Sequence, residues 1–249
     1  SNPGSTAASA WSSNTVVTSL NSPELSYSSF SVPHRIVGNI SYRFEYAKNF
    51  ATTLSLYYSG AAQGRSTFAY SNDMNGDGYS SDLMYIPKSQ NDIKFADIKS
   101  NGVVTITAAD QAQIFWQYVN SNSYLKKHKG EYAKRFGYVE PWYNRWDFKF
   151  LQDIYSNFGT DRRYTLQFSW DILNVGHLFY KKWGVYKTMG SASYDRIRPL
   201  KYAGKNSANE PLFQLNSTSA DAFWGSNTWQ YNATTSSTWG MMLGVRLIF

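Results

Sequence analysis

The last eleven residues alternate. Trp239, Met241, Leu243, Val245, Leu247 and Phe249 are large and apolar, while Gly240, Met242, Gly244, Arg246 and Ile248 lie between them. That is the period of a β-strand, whose successive side chains point to opposite faces. The same beat returns upstream. In "RIVGNISYRFEYA", Ile36, Gly38, Ile40, Tyr42, Phe44 and Tyr46 oppose Arg35, Asn39, Ser41, Arg43 and Glu45, with Val37 the exception. "FATTLSLYYSG" follows a short break at Lys48-Asn49 and carries Phe50, Thr52, Leu54, Leu56 and Tyr58 on one face. A hairpin with a tight turn fits the pair. Two further segments, "YNRWDFKFLQDI" and "YTLQFSWDIL", set Trp146, Phe148, Phe150, Ile154 and Tyr164, Leu166, Phe168, Trp170, Ile172 against polar and charged partners.

The pattern therefore predicts about five strands of roughly ten residues, a length that crosses a bilayer as β-structure. Their connections are lopsided. Those near 47–49 and 156–162 are short, whereas those near 61–142 and 175–237 are very long. Short turns on one side and long loops on the other characterise transmembrane up-and-down barrels. Soluble sandwiches turn every 8–12 residues or so. A soluble antiparallel sheet with one buried face would also alternate, but here each strand separates charge from Phe, Trp, Tyr and Leu unusually cleanly. In the membrane reading Tyr42, Tyr46, Phe50, Tyr164 and Phe249 fall near the periplasmic rim and Tyr58, Trp142, Trp146 and Trp239 near the outer one, forming two aromatic girdles. The fold class expected is all-β: a transmembrane antiparallel up-and-down barrel with a short helix in its long loops.

Composition sharpens this picture. Aromatic residues make up 18% of the 249 and charged residues 16%, against an average of roughly 25% charged. The 20 tyrosines and nine tryptophans suit surfaces with one wet and one greasy side. The net charge of +7 is not gathered into a block or helical stripe, and Glu131 interrupts the densest cluster, "YLKKHKGEYAKR"; no nucleic-acid partner is expected. The absence of cysteine excludes disulfides and thiolate metal sites. No apolar run approaches the ~18 residues of a membrane helix, and "SNPGSTAASA" lacks the basic start and apolar core of a signal peptide. It reads as a loop cut open.

"NDMNGDGYSSDLMYIP", "KGEYAKRFGYVEPWYNRWDFKFLQDI", "YTLQFSWDILNVGHLF" and "WGMMLGVRLIF", in that order, resemble the carboxy-terminal part of TonB-dependent outer-membrane transporters, in particular the Oar-like branch of Bacteroidota and Myxococcota. The resemblance covers roughly residues 33–249. It implies a plugged barrel of about 22 strands in the outer membrane of a Gram-negative bacterium, with long loops extracellular, driven by a TonB complex acting on the plug. Residues 1–32 would then be the end of an extracellular loop or a nicked start, and 33–249 the last strands. Implied partners are the amino-terminal remainder with its plug, outer-membrane lipid and lipopolysaccharide, and a surface lipoprotein on the loops. The assembly machinery would read the terminal signal Met241, Leu243, Val245, Leu247 and Phe249. Plug and TonB-contacting segments are not in this sequence, and five strands cannot close a pore alone.

Several candidate sites follow. Asp73, Asn75 and Asp77, then Gly78, the Tyr79 carbonyl and Asp82, could curl around Ca²⁺; Met84 at the twelfth position separates the loop from an EF-hand, and a metal-free Gly/Asp/Asn turn is the alternative. "TAADQAQIFWQYVNSNSYL" predicts a helix capped by Thr107, with Ile114, Phe115, Tyr118 and Val119 on one face. Its Trp116 could touch substrate, or pack in the loop's own core. Phe223, Trp224, Trp229 and Tyr231 could stack on sugars or grip a peptide, or anchor their loop. Arg35, Arg43, Glu45, Arg145, Asp147, Lys149 and Asp153 would face the lumen and pair there. Catalysis is not expected: the three histidines are scattered and no serine sits in a nucleophile elbow. Two other functions fit the sequence, a secreted Ca²⁺-dependent glycan-binding β-sandwich and a barrel acting mainly as anchor for surface proteins.

Overall fold

The structure is a computed structural model and describes residues 3–157, 163–188, 196–216 and 230–249. It is mostly β. In chain order the elements are α1 (Pro3–Ser12), β1 (Arg35–Tyr46), β2 (Phe50–Ala62), β3 (Arg65–Tyr70), β4 (Lys94–Phe95), β5 (Ile98–Ser100), β6 (Val103–Ile106), α2 (Ala108–Ser121), α3 (Ser123–Lys127) and β7 (Tyr138–Val139). They continue with β8 (Trp142–Asn157), β9 (Arg163–Leu173), α4 (Val175–Phe179), β10 (Tyr186–Thr188), β11 (Arg196–Lys205), β12 (Pro211–Leu215), β13 (Gln230–Asn232) and β14 (Gly240–Ile248). No helix is long and apolar enough to cross a membrane, among the described residues. Contacts divide the chain into two units, Val32–Gln63 with Pro141–Lys187 and Tyr231–Phe249, and Ser1–Ser31 with Gly64–Glu140 and Thr188–Gln230.

The first unit is built on one antiparallel sheet in the order β1-β2-β8-β9-β14. Its members are the five strands that the alternation predicts. Register aligns their apolar positions into rows, because directly opposed residues share a face. Ile40, Leu56, Phe148, Ile172 and Met241 make one row; Tyr42, Leu54, Phe150, Trp170 and Leu243 make the next. Phe44, Thr52, Gln152, Phe168 and Val245 follow, then Tyr46, Phe50, Ile154, Leu166 and Leu247. A shorter row of Gly38, Tyr58 and Trp146 lies at the other end. The β1–β2 turn places Ala47 and Lys48 at φ +49° and +59°, a left-handed conformation normally left to glycine or asparagine. Among the described residues β1 and β14 each pair along one edge only.

The second unit carries a mixed five-stranded sheet in the order β4-β12-β11-β3-β7, with β3 and β11 parallel and β11 and β12 antiparallel. It has a true core, in which Phe68, Met84, Ile86, Phe115, Tyr118 and Leu200 lose nearly all contact with solvent. Helix α2 forms where the sequence predicts it. The Thr107 hydroxyl accepts the Asp110 amide at 3.1 Å, the capping bond that satisfies one free N–H of the first turn. Buried Gln111 then fastens the helix at both ends of its amide, donating to the Ala96 carbonyl at 2.8 Å and accepting the Leu215 amide at 3.0 Å. Near the start, Pro3–Ser12 is helical and Val16 bridges to Asp82. Beyond β9, Val175–Lys187 groups with the sheet unit and Thr188–Gln230 with the mixed one.

Candidate functional site

The sheet of the first unit has two unlike faces. On the apolar face Ile40 and Leu243 are each 75% exposed, and Tyr42, Phe168, Trp170, Val245 and Leu247 are exposed beside them. Met241, Leu243, Val245, Leu247 and Phe249, the residues expected to form a terminal signal, all lie open. A contiguous apolar surface of this extent marks a site that another apolar phase or partner covers. Aromatic rings stand in all five rows, and the central one holds three of them, Tyr42, Phe150 and Trp170. Tyr42, Phe44, Tyr46 and Phe50 stack in series at 6.0, 5.7 and 5.9 Å, and Tyr58 meets Trp146 at 4.6 Å. Tyr42, expected at a rim, instead falls in the central row opposite Leu54, because the hairpin register carries it two rows in from the turn.

The opposite face collects the charges. Arg35, Arg43, Glu45, Arg145, Asp147, Lys149 and Asp153 all point to it by strand parity. Nearly buried Asp153 accepts the Arg43 guanidinium at 2.8 Å and the Gln167 amide at 2.7 Å. Arg43 also contacts the Tyr155 hydroxyl, and Glu45 lies 3.5 Å away. Arg145 bonds Asp147 at 2.9 Å, and Lys149 reaches Asp171 across the strands at 3.1 Å. Six of the seven thus take part in ion pairs, and Arg35 has none among the described residues. Such pairing keeps the charged face ordered and gives it a mosaic of both signs.

The Asp73–Asp82 loop is an array of side-chain-to-backbone bonds. Asp73 accepts the amides of Gly76 and Gly78 at 2.6 and 2.7 Å, and those bonds hold its carboxyl below the usual range. Asn75 accepts the Asp77 amide and Asp77 the Tyr79 amide, each at 2.9 Å. Buried Asp82 accepts the Met74 amide at 2.7 Å; desolvation first, then the charges of Asp77 and Asp73, push its pKa up. Among the described residues no three His, Asp or Glu side chains stand together closely enough to hold a metal ion. Binding Ca²⁺ would require the loop to move.

Of the aromatic candidates, Phe223, Trp224 and Trp229 lie outside the described residues. Trp116 is 6% exposed and packed within the core of the mixed unit, so it offers no surface to a substrate; the amphipathic turn of α2 carries it inward. Tyr231 is open and belongs to a site that periodicity could not reveal. A cavity of about 150 Å³ is lined by Trp142, Tyr143 and Asn144, by Lys182–Val185, and by Lys187 and Tyr231. The Lys182 and Lys187 ammonium groups stand 5.4 and 5.2 Å from the centre of the Tyr231 ring. Two side chains far apart in sequence shape it. Gln63 clamps the Lys187 backbone, donating to its carbonyl at 2.5 Å and accepting its amide at 2.7 Å. Buried Asn174 donates to the carbonyls of Gly184 and Ser237 at 3.1 and 2.8 Å.

Comparison of the chain with protein-family models, with curated proteins and with solved structures found no match.

Proposed function

We propose that the five-stranded sheet is a stretch of wall from a transmembrane β-barrel, the C-terminal part of a TonB-dependent outer-membrane transporter of the Oar-like branch that takes up a substrate across the outer membrane. One observation carries the reading: the apolar positions of all five strands line up in register on one open face, with paired charges on the other. Five rows two residues apart span about 27 Å along the strands, or roughly 21 Å across a bilayer at a ~40° tilt. The apolar band of such barrels is ~25 Å tall. The free edges of β1 and β14 fit the same reading, since further strands would complete the barrel and satisfy their backbone groups. Transport rests on the order of the sequence motifs, with the ion-paired face lining the lumen.

A structural Ca²⁺ on the Asp73–Asp82 loop belongs to the proposal as well. It is supported by three carboxylates in ten residues and by the strained ionisation of Asp82 beside two of them. A rise of the unfolding midpoint in Ca²⁺ over EDTA, lost in Asp77→Ala, supports it; equal midpoints remove the metal from the account.

Semi-native electrophoresis of detergent-extracted protein, unboiled and boiled, tests the wall reading. A compact unboiled band that resolves on boiling into this 28.4 kDa chain and a heavier partner, or into one larger chain containing both, supports it. A 28.4 kDa species soluble without detergent and unchanged by boiling contradicts it. Absence of TonB-dependent uptake by an intact barrel would favour the anchor function instead.

A further inference from the structure

Lys182 and Lys187 place two like charges around one ring, and neither ammonium has a carboxylate or hydrogen-bond partner among the described residues. Cation–π attraction to Tyr231 offsets only part of their repulsion. The remaining positive field is unanswered, although Arg145, Lys149 and Arg43 of the same unit all have acids at hand. The cavity wall supplies flat apolar surface as well: Trp183 and Tyr231 are each 43% exposed. Asn144 adds a polar edge. Its Oδ1 accepts Tyr58 Oη at 2.6 Å and Trp142 Nε1 at 2.9 Å, which leaves the Nδ2 donors without a partner among the described residues.

The lining is pre-organised rather than loose. Gln63 and Asn174 fix the backbone on either side of Lys187 and Gly184, and Gly176 lets the Trp183 ring lie against the helix backbone, where a Cβ would come within 3.0 Å. At about 150 Å³ the cavity is well below the ~300 Å³ at which drug-sized pockets begin, so its size suits a single sugar unit rather than a peptide.

We infer that this cavity binds an anionic saccharide: a phosphate or carboxylate between Lys182 and Lys187, with the sugar ring against Trp183 and a hydroxyl on Asn144. The inference rests on the transporter reading only for treating the ligand as cargo; binding itself is measured without transport. The ligand can be a free acid sugar or the phosphorylated sugar headgroup of a lipid, and both present the same chemistry.

The test is calorimetry on the detergent-extracted protein with glucose 6-phosphate, glucose and inorganic phosphate, and with vesicles bearing a monophosphorylated glycolipid. Glucose 6-phosphate should bind at least tenfold tighter than glucose or phosphate, and the Lys182→Gln/Lys187→Gln variant should lose at least tenfold. Binding confined to the vesicles, with the same loss in the variant, assigns the site to a lipid headgroup and upholds the inference. Trp183→Ala should bring glucose 6-phosphate and phosphate to similar affinity. Equal affinity for glucose and its phosphate, indifference to loss of both lysines, or no binding of any probe overturns it. A failure here with the unboiled and boiled bands intact removes the saccharide site alone and leaves the wall in place.

Discussion

Leu243 offers a sharp energetic test. It lies in the central apolar row, opposite Trp170, and is 75% exposed. If that exposure is to water, Leu243→Arg should change stability by no more than about 0.5 kcal/mol, as open surface positions do. If it is to lipid, the arginine sits near the bilayer midplane and costs about 2–4 kcal/mol. At ~1.4 kcal/mol per decade this is a roughly 30- to 700-fold shift in the folding equilibrium. Depth and face give internal controls. Leu247, two rows nearer the strand end, should tolerate arginine at ~0–1 kcal/mol. Met242 is the neighbour on the other face and opposes Asp171, so Met242→Arg should be neutral or slightly stabilising. Guanidinium unfolding of the protein in phospholipid vesicles reads all three. Equal costs at 242 and 243, or no cost at 243, would refute the reasoning.

Gln111→Ala should destabilise the mixed unit by about 2–3 kcal/mol in thermal or denaturant unfolding, because it strands the buried Leu215 amide and Ala96 carbonyl; a change below 0.5 kcal/mol would mean those groups find water. Lys48→Gly should stabilise the β1–β2 turn by roughly 1 kcal/mol by relieving a left-handed side chain, and a loss of stability would show that the turn is not left-handed there. Acidification should act with opposite signs within one loop. The raised pKa of Asp82 contributes stability that is present at low pH and lost as pH rises through its folded value, whereas the lowered pKa of Asp73 contributes stability lost as pH falls. In EDTA, Asp82→Asn should therefore remove the gain on mild acidification without lowering the midpoint at neutral pH, and a lower neutral midpoint would contradict the cause assigned to Asp82.

The five strands of the antiparallel sheet and the capped helix were legible because each rests on local periodicity. Alternation in "LGVRLIF" or "RIVGNISYRF" needs no partner to be read, and Thr107 lies only three residues from the Asp110 amide it accepts. Register was not legible, which is why Tyr42 stands in the central row. Gln111 was missed for a related reason: a polar residue on an amphipathic helix reads as exposed until the chain supplies Ala96 and Leu215, the latter 104 residues away, to pair with it. The Lys182–Lys187 cavity depends on Gln63, Asn174 and Tyr231 meeting across more than a hundred residues. Trp116 takes the inward placement that its helix allowed, in the core of the mixed unit.

The central claim is that one face of the sheet meets lipid and the other water, and nitroxide spin labels address it directly. Labels at Ile40, Leu56 and Phe168 should be reached by oxygen and shielded from a water-soluble nickel chelate in the membrane-embedded protein. Labels at Ser41, Ser55 and Gln167, one residue away on the opposite face, should show the reverse preference. The same accessibility at both sets of positions would contradict the account.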